Sequence, residues 1–169
     1  MTEAEALAIT TESPEQTRSL GRLLGGLAGS GDIYLLSGKL GAGKTHLVQG
    51  MAFGLGIQEY ACSPSFMIAR QYQGRLPLYH LDLYRLERPE EISDLGLEQY
   101  FDGQSVCAIE WADRGSDILP ADNLTVKMED LGDDRRRITF LPRSPRYSKL
   151  VKELKQALEK DLEVKWSFQ

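Results

Sequence analysis

Gly38-Lys39-Leu40-Gly41-Ala42-Gly43-Lys44-Thr45 follows the apolar run Ile33-Tyr34-Leu35-Leu36 and precedes Leu47, Val48, Met51, Ala52 and Leu55 at helical spacing. A strand with little alternation, then a glycine-rich turn, then a helix is the opening of a βαβ unit with a buried parallel strand. The turn matches G-x-x-x-x-G-K-[ST]. Its glycines let backbone N–H groups curl around phosphate oxygens, and the following helix points its positive end at the same anion. Lys44 adds a full charge at the outer phosphates, and the Thr45 hydroxyl is placed to ligate Mg²⁺. The bland alternative is a glycine-rich turn with a chance lysine. At average glycine usage such a match arises by chance in under about 1% of chains of this length. The loop therefore reads as a nucleotide site. Gly38, Leu40, Gly41, Ala42, Gly43, Lys44, Thr45 and the adjoining His46 are its expected lining.

A phosphate loop needs a second acid for its metal, usually one that ends an apolar strand. Val106-Cys107-Ala108-Ile109-Glu110 supplies it, with Glu110 as the candidate; Asp32 stands at the wrong end of its own strand. Asp82 is the other candidate. Alternation in His80-Leu81-Asp82-Leu83-Tyr84 puts His80, Asp82 and Tyr84 on one face, a set that is hard to bury for packing alone. Guanine-specific GTPases usually carry N-K-x-D, and no such motif occurs, which tilts the base to ATP.

Outward from the loop, Leu7 to Thr10 reads as an edge strand. Ser13-Pro14-Glu15-Gln16 starts a helix by capping box and first-turn proline. Phe66 to Tyr72 and Leu76 to Leu83 read as strands around Gly74, and Pro89-Glu90-Glu91 as a short helix start. Asn123 to Glu129 and Arg135 to Leu141 bracket Gly132-Asp133-Asp134 as a hairpin. Tyr147, Leu150, Val151, Leu154, Leu158 and Leu162 form an amphipathic stripe. We divide the chain into a P-loop ATPase domain at 1–141 and a C-terminal extension at 142–169, packed on the domain or on a partner.

The 169 residues carry 20 Lys+Arg against 25 Asp+Glu, a formal net charge of -5, with 41% hydrophobic residues. That mixture excludes a disordered tail, a collagen-like repeat and a disulfide scaffold. No apolar run approaches the ~20 residues of a membrane helix, so no membrane role is expected. Glu3, Glu5 and Glu12 mark an N-terminus without a secretory signal pattern. The acidity argues against broad phosphate-backbone binding, and DNA is not an expected partner. Cys62 and Cys107 read as reduced, structural thiols of a cytoplasmic protein. His46 and His80 have no zinc spacing.

Four segments together, Gly38 to Thr45, Ser63-Pro64-Ser65-Phe66, His80-Leu81-Asp82-Leu83-Tyr84-Arg85-Leu86 and Ile109-Glu110-Trp111, resemble the bacterial TsaE (YjeE) family in order and spacing. This is the ATPase family of tRNA threonylcarbamoyladenosine biosynthesis. The resemblance spans about residues 10 to 140. It implies an α/β, P-loop NTPase-like three-layer fold: central parallel strands, flanking antiparallel strands, helices on both faces. It implies ATP and Mg²⁺ as cofactors, slow hydrolysis alone, and work with TsaB and TsaD on adenosine 37 of tRNAs that read ANN codons. The tRNA is then reached through the complex. Carried over by position, Lys44 binds phosphate, Thr45 with Glu110 holds Mg²⁺, and Asp82 sits near the γ-phosphate; Lys44, Asp82 and Glu110 are the catalytic candidates. Thr11 or Thr10 before the first helix, and Arg136 on the late hairpin, line the nucleotide. Ser65 stands where the family usually has Thr, and His46 where it more often has Thr. A small-molecule P-loop kinase is the alternative, with Arg135-Arg136-Arg137 as a lid, but no acceptor-binding segment is evident.

Overall fold

The run Ile33–Ser37 forms a strand (β2) with a parallel neighbour on each side. In this computed structural model, which describes residues 5–62, 64, 68–161 and 164–169, all eight strands join one sheet. They are β1 Leu7–Thr11, β2, β3 Ala69–Tyr72, β4 Leu78–Asp82, β5 Val106–Glu110, β6 Leu124–Gly132, β7 Arg135–Pro142 and β8 Ser167–Phe168. The spatial order is β3-β4-β5-β2-β6-β7-β1-β8. The pairs β4/β5, β5/β2 and β2/β6 are parallel; the outer pairs are antiparallel. The helices are α1 Pro14–Leu27, α2 Lys44–Gly54, α3 Pro89–Ser93 and α4 Pro145–Lys160.

Alternation sorts the sheet into two cores. Tyr34 and Leu36 of β2, with Val106 and Ala108 of β5, pack beneath α1, α2 and α4. Ile33, Leu35, Cys107 and Ile109 point the other way, against Ile92 of α3 and the short 3-10 turns at Leu97–Tyr100 and Ala112–Gly115. Both faces being covered explains why β2 and β5 carry no polar alternation.

Helix starts follow their local chemistry. Ser13 caps α1 by accepting from Gln16 N–H at 3.1 Å, and the Gln16 side chain reaches back to Glu12 N–H at 2.5 Å. Pro14 occupies the first helical position. α1 and α2 then meet backbone to backbone. A Cβ on Gly21 or Gly25 would run into the carbonyls of Leu47 or Met51, and one on Gly50 or Gly54 into those of Arg18 or Arg22.

One expectation changes. β1 is not an edge strand, because β8 pairs outside it through Ile9↔Phe168 and Thr10↔Ser167. α4 lays Tyr147, Leu150, Val151, Leu154 and Leu158 into the same core as α1 and β2, so residues past 142 share the main core. Ser63, Ser65, Phe66 and Leu162 lie outside the described residues.

Candidate functional site

The chain leaves β2 at Ser37 and turns through Gly38, Gly41 and Gly43, with φ of 154°, 83° and 93°. A Cβ on Gly38 would sit 2.5 Å from the Met128 carbonyl oxygen, so that position admits only glycine. Gly43 caps α2 with no side-chain hydrogen bond. The first-turn N–H groups of α2 are thereby left to the loop, where the positive end of the helix favours an anion.

Lys44 curls back and donates to the carbonyls of Gly38 at 2.6 Å and Lys39 at 3.0 Å. Its Nζ stands 4.0 Å from the centre of the Trp111 ring. Burial holds its pKa below the ordinary lysine value, opposed by the nearby Glu110, Asp113 and Asp82 carboxylates. Lys39 is exposed.

Thr45 donates its hydroxyl to Glu110, with distances of 3.0 and 3.2 Å to the two carboxylate oxygens. Glu110 ends β5, and parallel pairing sets Asp82 of β4 directly opposite it. Asp82 accepts from Tyr84 N–H at 2.9 Å. His80, fully buried, places Nε2 2.5 Å from Glu110 Oε2. A cleft of about 400 Å³ is lined by the loop from Leu40 to His46 together with Asp82, Tyr84, Glu110 and Trp111.

Trp111 itself has left-handed backbone, φ 58°. Its ring packs 4.9 Å from Tyr84, with the Arg114 guanidinium 5.3 Å away. A non-glycine residue held there marks local strain, a feature that clusters at ligand clamps.

The donors suit a hard, oxygen-seeking cation. Magnesium is typically held by one or two carboxylates plus substrate phosphates rather than by an all-protein cage. No cluster of three or more His, Cys, Asp or Glu occurs among the described residues.

Two expected lining residues stand apart from the cleft wall. Thr11 is fully buried, and its hydroxyl shares a 2.7 Å hydrogen bond with Thr17. Arg136 pairs with Thr11 across β1 and β7 and binds Asp130 at 2.8 Å. Its Nε nonetheless lies close to the loop, 3.7 Å from where a Gly43 Cβ would be. Burial, Arg18 and Arg136 together lower the His46 pKa.

The same geometry has known counterparts. The sequence model described as Threonylcarbamoyl adenosine biosynthesis protein TsaE matches residues 11–138. The chain belongs to the TsaE family. The tRNA threonylcarbamoyladenosine biosynthesis protein TsaE of Bacillus subtilis is 46% identical over 145 residues, 85% of this chain and 90% of that protein. The namesake in Treponema pallidum is 42% identical over 129 residues, 76% of this chain and 96% of its own length. The crystal structure of Bacillus subtilis YdiB superposes with a TM-score of 0.79 at 40% identity, covering 90% of this chain and 95% of that one. The TsaE match ends within β7, so α4 and β8 lie beyond it.

Two contacts in this TsaE family member were not visible in the sequence: His80 to Glu110, and Lys44 to Trp111. The signal for the first was partly there. Alternation puts His80 on the same face as Asp82, but no local pattern says that β4 lies beside β5.

Proposed function

We propose that this chain is a Mg²⁺-dependent ATPase of the cytoplasm that serves threonylcarbamoyladenosine formation at adenosine 37 of tRNAs reading ANN codons, acting with TsaB and TsaD. The names of its relatives support the pathway. One observation carries the ATPase reading: the Thr45 hydroxyl donates to Glu110 at the open side of the phosphate loop, beside Lys44.

In this reading Lys44 exchanges its two loop carbonyls for phosphate oxygens. Thr45 and Glu110 would hold Mg²⁺, which would supply charge neutralisation to the phosphates. Asp82, opposite Glu110 at the strand ends, faces the same space and orients water at the outer phosphate. The tRNA is reached through the partner proteins. In support, each arginine of the basic cluster is already ion-paired: Arg135 to Glu12, Arg136 to Asp130 and Arg137 to Glu129.

The test is ATP hydrolysis with and without TsaB and TsaD, alongside tRNA modification through several turnovers. Turnover without any added acceptor separates an ATPase from a small-molecule kinase. A chain that neither hydrolyses ATP with the partners present nor supports repeated modification would refute the proposal.

A further inference from the structure

His80 is a costly residue to bury for packing alone. It has no solvent exposure, and its Nδ1 finds no hydrogen-bond partner among the described residues. An apolar side chain would leave no nitrogen orphaned there. Its other nitrogen is fully used. Nε2 meets Glu110 Oε2 at 2.5 Å, and because a carboxylate oxygen only accepts, Nε2 carries the proton. Ala108 stands opposite His80 in the β4/β5 register. Its single methyl leaves the imidazole room to lean along β5 toward Glu110.

Glu110 is thus gripped by two donors, His80 Nε2 and Thr45 Oγ1. The terminal torsion of a glutamate is broad, so one donor would leave the carboxylate free to turn. With its proton committed to Glu110, the Thr45 oxygen keeps its lone pairs for the loop side. We propose that His80 is a positioning residue, whose Nε2–H fixes Glu110 so that Glu110 fixes the Thr45 hydroxyl for a Mg²⁺–nucleotide complex. This rests on the nucleotide reading above. Outer partners that orient metal ligands commonly matter as much as the ligands' own geometry.

The test uses the full chain, with melting curves to establish folding and a fluorescent ATP analogue as the probe, titrated with Mg²⁺ and separately in EDTA. His80→Phe keeps the ring and loses the donor. It should leave affinity in EDTA unchanged while raising the Mg²⁺ needed for half-maximal binding by about 10- to 100-fold. His80→Gln carries an N–H at similar reach and should restore the Mg²⁺ curve to near native. A folded His80→Phe chain with the native Mg²⁺ curve would overturn the proposal. Should His80→Phe not fold, His80→Gln is compared with His80→Asn, whose amide is too short to reach Glu110. Equal Mg²⁺ curves for those two would overturn it equally. A native chain whose nucleotide affinity ignores Mg²⁺ would sink the ATPase reading itself, and this proposal with it.

Discussion

At the scale of single residues, the site is a set of short donor–acceptor chains, and each link has its own signature when cut. Thr45→Ala removes one hydroxyl from a half-buried position. It should lower Mg²⁺-dependent hydrolysis by about 10- to 100-fold with little change in melting. Glu110→Ala should lower hydrolysis at least as far and also destabilise the chain by about 1–3 kcal/mol, because the buried His80 N–H then loses its acceptor. Paired rate and denaturation measurements separate the two; equal melting points for both variants would contradict the His80–Glu110 bond. Trp111 is a different kind of link. It covers Lys44 and packs on Tyr84 at the cleft mouth rather than in the deep core. Trp111→Ala should keep the fold and ATP binding and lose partner-dependent tRNA modification. If instead it melts much earlier while its folded fraction stays fully active, Trp111 serves packing alone.

At the scale of elements, the tight seam between α1 and α2 makes the clearest forecast. Gly50→Ala drives a methyl into the Arg18 carbonyl and should cost about 1–3 kcal/mol in denaturant unfolding. Gly26, in the same helix as Gly21 and Gly25, has open space around its Cβ direction. Gly26→Ala should stabilise by up to about 1 kcal/mol, and a like response at both positions would mean the seam is looser than described. Elements are also where the sequence was most and least informative. The phosphate loop, the Ser13-Pro14 helix start and the β6–β7 hairpin are written in adjacent residues, so their physics is local and legible. β8 is two residues long, too short to show any period, and its pairing with β1 joins residues some 160 apart in the chain. The contact of His80 with Glu110 depends on β4 lying beside β5 in one register, which no local pattern encodes.

For the whole molecule, burial ties stability to alkaline pH. It pushes the Cys107 thiol from 9.0 up to about 12, and the Tyr147 hydroxyl from 10.0 to about 12. The unfolded chain releases these protons near pH 9 to 10, whereas the folded chain holds them. Stability is therefore full below about pH 9 and falls as pH rises toward 12. Melting temperatures across that range should decline, and Cys107→Ala should decline less steeply; identical slopes would remove Cys107 from the account. The glycine seam has a consequence at this scale too. Where Gly21 and Gly25 meet Gly50 and Gly54, backbone lies against backbone with little room to absorb a shift, so α1 and α2 move as one plate. The floor of the cleft should then keep its shape when a nucleotide is added. Any response falls to the facing wall, Asp82 to Tyr84 and Trp111, hung on the left-handed turns at Ile68 and Trp111. On adding nucleotide, amide exchange should stay nearly constant in the body of α2 from Leu47 onward and change at Tyr84 and around Trp111. One half of the molecule is an anvil, and the other half is the part that can signal.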